Sequence, residues 1–211
     1  MAVAILPLFS ETIRGSQSSC GLQGIRSSLA ELQAATRGDL EPESIAAISL
    51  VLERAAEVAR VTGRLEFRGL AEHDGSTPSA TLVEADGGHY GLHVDDGARL
   101  AIDALASGPM RLSVNIGDIA RLFLFVNLGV DQMLDGIGRA GERSVFRAGL
   151  ADEIGRSFLA AYPEYPIVAL RVDPGEAYLA PTQAILHDGA GTGGRIARHL
   201  SFSGDIALRT A

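Results

Sequence analysis

Short apolar segments, separated by glycine, aspartate and proline, fill the chain from residue 64 onward, and this pattern constrains the fold more than any other feature. Segments this short, with turn residues between them, are typical of β-strands in a sandwich or barrel. The predicted strands are Leu65–Phe67, Thr81–Val83, Leu92–Val94, Arg111–Ile116, Leu122–Leu128, Ile167–Val172, Ala177–Leu179, Ile185–His187, Leu200–Phe202 and Ile206–Leu208. We therefore expect a largely antiparallel β core.

The first third of the chain has helical spacing instead. Ser28 and Glu31 form a capping box that precedes Gly38, and a second helix is expected from about Pro42 to Gly63. Apolar residues recur every three or four positions in this second helix: Ile45, Ile48, Val51, Ala55 and Val58. A further helix is predicted at about Leu150–Tyr162, where Pro163 follows.

These elements predict one domain over residues 1–211, of the α+β class and mainly β. Its helical part, residues 1–63, should pack on one side of a β core formed by residues 64–211, because amphipathic helices must bury their apolar faces. No apolar run approaches the length that a membrane helix needs.

Composition argues against two classes of partner and suggests a compartment. Lysine and arginine number 18 and aspartate and glutamate 26, which gives a net charge of −8. An acidic chain without a basic run is a poor candidate for nucleic acid or an anionic membrane surface. Cys20 is the only cysteine, so the chain cannot form an internal disulfide, and a reducing, cytoplasmic location is predicted.

A His-x-Asp pair lies in the predicted strand around residues 91–97. Residues two apart on a strand point to the same face, so His93 and Asp95 can reach one metal ion, whereas Asp96 should point away. A facial triad of two histidines and one carboxylate needs one more histidine from elsewhere in the fold.

The second half of the chain supplies that histidine and an arginine. A predicted strand, a Pro-Gly turn and a further strand lead to His187, and Arg198 follows eleven residues later. An arginine can hold a carboxylate with two parallel hydrogen bonds. His199 adjoins Arg198 and is expected to face away from it.

This arrangement resembles the iron(II)- and 2-oxoglutarate-dependent oxygenases with a double-stranded β-helix, or jelly-roll, fold. The resemblance covers roughly residues 79–209. It implies that His93, Asp95 and His187 hold Fe(II) and that Arg198 binds the distal carboxylate of 2-oxoglutarate, with Arg195 as the alternative anchor. Tyr178 and Thr182, near the strand that leads to His187, are expected to contact cosubstrate or to pack.

The resemblance also implies the chemistry. Three protein ligands leave three coordination sites on the iron open for 2-oxoglutarate and O₂. A dioxygenase of this kind converts 2-oxoglutarate to succinate and CO₂ while it oxidises a C–H bond of a substrate. A carboxylate as the second ligand favours hydroxylation, desaturation or cyclisation over halogenation.

Several alternatives stay open from the sequence. The substrate is expected to be a small molecule such as an amino acid or an amino-acid-derived metabolite, and a homo-oligomer is compatible with the sequence. A cupin-like metal enzyme on a similar barrel is one alternative to an oxygenase, although the His-x-His pair usual in cupins is missing. A non-catalytic β-barrel binding protein is the other.

Overall fold

The computed structural model describes residues 3–6, 8, 48–54, 65–77, 79 and 90–204. Residues 48–54 are helical, and 3₁₀ helices span Ile102–Ser107 and Ala140–Glu142. The α-helices with complete bounds are α1 (Val130–Gly136) and α2 (Leu150–Ala161). The strands are β1 (Ala4–Leu6), β2 (Leu65–Asp74), β3 (Met110–Asn115), β4 (Arg121–Gly129), β5 (Ile167–Val172), β6 (Ala177–Ala180), β7 (Ile185–Gly191) and β8 (Ile196–Gly204).

The strands form two antiparallel sheets. One has five strands in the order β1-β6-β3-β8-β2, and the other has three in the order β5-β4-β7. An isolated bridge between His93 and His187 adds the His-x-Asp segment to the open side of β7. From β5 to β8 the chain alternates between the two sheets, which is the winding of a double-stranded β-helix. The expected fold class is confirmed.

The outer face of the five-stranded sheet is apolar and lies under the N-terminal helical segment. Ile48 and Val51 from that segment are buried with residues of β3, β6 and β8: Leu112, Val114, Leu179, Leu200 and Phe202. Burial of this apolar surface is what holds the helix to the sheet. The expectation that N-terminal helices pack on one side of the core is met over the described residues.

The outer face of the three-stranded sheet lies under α1 and α2. Leu186 of β7 packs among Met133 of α1 and Ile154 and Phe158 of α2. Gly155 makes the close approach possible, because a Cβ at this position would lie 2.5 Å from a methyl carbon of Leu186. Helix α2 is thereby fixed behind the strand that carries His187.

Most strands predicted from the sequence are found, and β5 has the predicted bounds of Ile167–Val172. Helix α2 begins at Leu150 as expected and ends one residue before Tyr162. Strand β1, helix α1 and the 3₁₀ helices had no sequence prediction. The predictions of a helix at 28–38 and of strands at Thr81–Val83 and Ile206–Leu208 lie outside the described residues.

Among the described residues, no helix is long and apolar enough to cross a membrane.

Candidate metal centre

The three predicted metal ligands meet at one end of the barrel interior. His93, Asp95 and His187 each offer a ligand atom, and these atoms all lie within 4.8 Å of one another. Reciprocal backbone hydrogen bonds of 3.0 and 2.8 Å between His93 and His187 bring the two imidazole rings to a centroid separation of 4.6 Å. The backbone N–H of Asp95 donates to the carbonyl of Thr182 at 3.1 Å. Strand pairing therefore assembles the triad from segments about ninety residues apart.

Both histidines present the same ring nitrogen to the site. The Nδ1 of His93 lies 2.9 Å from the carbonyl oxygen of Gly91, and the Nδ1 of His187 lies 3.3 Å from that of Ile185. A carbonyl oxygen only accepts, so Nδ1 carries the proton in each ring and Nε2 is left with its lone pair. Two imidazoles and one carboxylate form the donor set expected for a non-haem Fe(II) centre.

The two oxygens of the Asp95 carboxylate face different neighbours. Its Oδ1 lies 4.0 Å from the Nε2 of His93, whereas its Oδ2 accepts a 2.6 Å hydrogen bond from the Arg111 guanidinium. Burial acts to raise the pKa of Asp95, but its electrostatic interactions with His187 and with the Arg111 guanidinium and a hydrogen bond from the Thr182 side chain together lower it below its usual value. The residue is thus an anion with one oxygen turned toward the histidines.

Burial decides the charge of His187, because no stronger interaction offsets it. Its side chain is almost fully enclosed, and this desolvation lowers its pKa to about 4. The ring is therefore neutral at physiological pH, which is the form that binds a metal ion.

Asp152, in the first turn of α2, fixes the segment that carries His93 and Asp95. Its Oδ1 accepts from the backbone N–H of Val94 at 2.6 Å, and its Oδ2 accepts from the Tyr90 hydroxyl at 2.8 Å. The Tyr90 ring in turn stands edge-on to His93 at 5.4 Å between centroids. A helix inserted between two barrel strands therefore orients two of the three candidate ligands.

The structure places both Arg198 and Arg195 in ion pairs away from the triad, so an anchoring role for either toward 2-oxoglutarate stays a prediction. Arg198 is 45% exposed and pairs with Glu72, and Arg195 pairs at 3.1 Å with Asp118 on the surface. Residues alternate along β8, so Arg198 shares the outer face with Leu200 and Phe202.

His199 lies on the inner face of β8, on the opposite side of the strand from Arg198. His199 lies in a buried polar cluster near the far end of the barrel from the triad. Its ring is 5.9 Å from that of His73, and burial lowers the pKa of both histidines. His73 Nε2, His199 Nδ1 and Arg121 Nε are buried without a hydrogen-bond partner among the described residues.

Arg121 is the cation of this cluster. It is 3% exposed, and its Nη1 donates to the Ser113 hydroxyl at 3.2 Å. Burial lowers the pKa of Arg121, while its electrostatic interactions with Tyr178 and Asp188 act to raise it. A guanidinium buried in this way needs an anionic partner.

Aromatic rings connect this cluster to the triad. Phe123 stacks on Tyr178 at a centroid distance of 4.0 Å and lies 5.9 Å from the ring of His187. Tyr178 is thus buried between the two ends of the interior, while Thr182 lies directly against Asp95. Thr182 therefore lies beside the triad and Tyr178 is separated from His187 by Phe123; contact of either with cosubstrate stays a prediction.

Arg111, Arg121 and Asp152 were missed by sequence reasoning. Arg111 and Arg121 each begin or nearly begin a strand, and an arginine there is usually solvated, so their inward direction had no sequence signal. Asp152 is in the first turn of a helix, where an acidic residue is favoured by the helix dipole alone.

No protein-family model matches this sequence, and no curated protein sequence matches it. Among solved structures, AviO1 from Streptomyces viridochromogenes Tue57 is similar with a TM-score of 0.51 and 11% identity, over 99% of this chain and 92% of AviO1. HygX from Streptomyces hygroscopicus, solved with nickel and 2-oxoglutarate bound, has a TM-score of 0.50 and 14% identity, over 99% of this chain and 84% of HygX. The Kdo hydroxylase KdoO, a non-heme Fe(II) alphaketoglutarate dependent dioxygenase, has a TM-score of 0.47 and 14% identity, over 96% of this chain and 78% of KdoO. The similarity to AviO1 and HygX confirms the predicted resemblance at the level of the fold.

Proposed function

We propose that this protein is an Fe(II)- and 2-oxoglutarate-dependent oxygenase that oxidises an unactivated C–H bond of a small molecule. One observation carries the proposal: His93, Asp95 and His187 converge, with both Nε2 atoms free, inside a double-stranded β-helix. HygX, which has this fold, was solved with nickel and 2-oxoglutarate bound. The donor set has the composition of a facial triad, which leaves coordination sites for cosubstrate and O₂.

The protein's contribution is to hold the metal ion and its cosubstrate in a buried site. His93, Asp95 and His187 would bind Fe(II), and bound iron with 2-oxoglutarate and O₂ would supply the oxidation of the substrate and yield succinate and CO₂. Arg111 keeps one oxygen of Asp95 occupied, so that the carboxylate offers the other to the metal. Because the second protein ligand is a carboxylate, hydroxylation, desaturation or cyclisation is favoured over halogenation.

Arg121 is the proposed anchor for the distal carboxylate of 2-oxoglutarate, in place of Arg198 or Arg195. It projects from β4 on the same face as Phe123 and Phe125, toward the barrel interior. Phe125 of β4 is the register partner of His187, and Arg121 is the partner of Gly191. The Cα of Arg121 is therefore four residues farther along β4 from the triad than that of Phe125. A dicarboxylate held by the metal at one end would place its other end toward this buried cation.

An anaerobic titration with Fe(II) and 2-oxoglutarate tests the proposal. We expect a weak visible charge-transfer band that requires both additions and is absent from His187→Ala, which removes one of the nitrogen ligands. A wild-type protein that binds Fe(II) but gives no band with 2-oxoglutarate would be a metal enzyme of the cupin type. A protein that binds neither would be a non-catalytic β-barrel, and either result contradicts the proposal.

An amino acid or amino-acid-derived substrate and a cytoplasmic location remain predictions from the sequence. Succinate release in a panel of free amino acids tests the first, since coupled turnover rises only with a molecule that is oxidised.

A further inference from the structure

A cavity of about 800 Å³ opens beside the triad, and its charges are arranged on two sides. Arg68 and Arg111 line the side formed by β2 and β3, and Asp96 and Asp152 line another side. His93 and Asp95 lie between them on the cavity wall. The cavity that reaches His93 and Asp95 is thus lined by two guanidinium groups, in a chain whose net charge is −8.

Serine hydroxyls on the inner face of β8 fix both guanidinium groups. Arg111 Nη1 donates to Ser201 at 2.8 Å, and Arg68 Nε donates to Ser203 at 2.6 Å. Strand β8 lies between β2 and β3 in the sheet, so the two arginines lean over it from opposite sides. Guanidinium groups held in this way lose little further side-chain entropy when they bind an anion.

Most of the charged groups around the cavity already have partners within the protein. Arg111 is paired with Asp95, and Asp152 accepts hydrogen bonds from Val94 and Tyr90. Arg68 has only a 3.3 Å contact with Glu66, and the two side chains are 52% and 61% exposed. An exposed pair of this kind contributes little, so Arg68 can exchange Glu66 for an anion in the cavity.

Arg68 lies too far along the barrel to serve the cosubstrate anchor. It is five residues before His73 on β2, and His73 belongs to the polar cluster around Arg121. One cation is thus available at the cavity and another in the closed interior, with the triad between them. Two anionic groups can be bound at once without competing for the same arginine.

We propose that the substrate is a small organic anion, carrying a carboxylate or a phosphate monoester, and that Arg68 binds this group. The proposal rests on the proposed function, because it places the carbon to be oxidised between Arg68 and the triad. The planar fork of Arg68 keeps its two Nη groups for the anion while its Nε remains bonded to Ser203.

Paramagnetic relaxation tests this with the full-length protein loaded with Mn(II) and 2-oxoglutarate. The probes are inorganic phosphate, observed by ³¹P, and carboxyl-labelled acetate, observed by ¹³C. We expect a saturable relaxation enhancement in the wild type, with a half-saturation concentration that rises by about tenfold or more in Arg68→Gln. Arg68→Lys should give an intermediate value because it keeps the charge and loses the fork.

Arg171→Gln is the matched control. Arg171 is 64% exposed and pairs with Asp173 two residues away, as Arg68 pairs with Glu66, but it lies on β5 and does not line the cavity. This variant should keep the wild-type half-saturation. Tighter binding of phosphate than of acetate would indicate a phosphate monoester substrate, and the reverse order a carboxylate; either supports the proposal.

Failure of this inference is distinguishable from failure of the proposed function. Mn(II) binding is followed separately by water-proton relaxation, with His187→Ala as its control. If Mn(II) binds and neither anion shows a saturable effect, or if Arg68→Gln matches the wild type, the anion site is disproved while the metal centre stands. If the wild type does not bind Mn(II), both proposals are wrong.

Discussion

The two faces of β8 carry different kinds of residue and have different tasks. The inner face presents His199, Ser201 and Ser203 to the barrel interior, where the serines hold Arg111 and Arg68. The outer face presents Leu200 and Phe202, which are fully buried beneath the N-terminal helical segment. On this strand the polar face is therefore turned to the interior, and the apolar face supplies stability from outside.

The same contrast separates two arginines. Arg198 is on the outer face and pairs with Glu72 at the surface, whereas Arg121 is 3% exposed and donates a hydrogen bond to the Ser113 hydroxyl. Solvated ion pairs contribute little, and a buried unpaired cation is costly unless a ligand completes it. The arginine at the expected spacing from His187 is thus found in an exposed ion pair.

The largest difference in activity is expected between variants of two adjacent carboxylates at the cavity, Asp95 and Asp96. Asp95→Ala should abolish Fe(II)-dependent succinate formation, because it removes a metal ligand, whereas Asp96→Ala should retain most of it. Succinate released per enzyme, at saturating Fe(II) and 2-oxoglutarate, is the measurement. An active Asp95→Ala with an inactive Asp96→Ala would show that the wrong carboxylate has been assigned.

Truncation on the outer face of β8 should affect stability without affecting chemistry. Leu200→Ala leaves a cavity under the helical segment and should lower the free energy of unfolding by about 2–5 kcal/mol. Urea denaturation measures the loss, and metal affinity of the folded fraction should be unchanged. A large loss of metal affinity at unchanged stability would contradict the division of labour between the two faces.

The two arginines should differ in their effect on the cosubstrate. Arg121→Gln should raise the 2-oxoglutarate concentration for half-maximal turnover by roughly thirty-fold or more, since it removes the partner of a buried anion. Arg198→Gln should leave that concentration nearly unchanged. Saturation curves for both variants decide the matter, and the reverse result would return the anchor to Arg198 and require an inward-facing β8 residue at that position.

Arg111→Lys should give a smaller effect, on the metal rather than on 2-oxoglutarate. A lysine cannot bond Asp95 and Ser201 with the geometry of the guanidinium, so Fe(II) affinity should fall by roughly tenfold. Arg195→Lys, on the surface beside Asp118, is the control and should bind Fe(II) like the wild type. Equal affinities in the two variants would mean that Arg111 does not position the ligand.

Local sequence was sufficient for most of the strands and for two of the three candidate metal ligands. Strand β5 follows from its apolar alternation and flanking turn residues, and the His93 and Asp95 spacing follows from the two-residue period of a strand. His187 was assigned from the resemblance to the oxygenase family, in which a distal histidine follows the His-x-Asp pair after a long gap. Strand β5 and the His93 and Asp95 spacing, in contrast, depend on residues within a few positions of one another.

The sequence determined that side chains alternate along β8, and only the tertiary structure decided which set faces inward. Apolar residues usually mark the interior, but here Leu200 and Phe202 pack outward because helices cover that sheet. Arg121 and Asp152 acquire their environments from strands and helices distant in sequence. Contacts of this kind depend on how the elements pack, which no local pattern records.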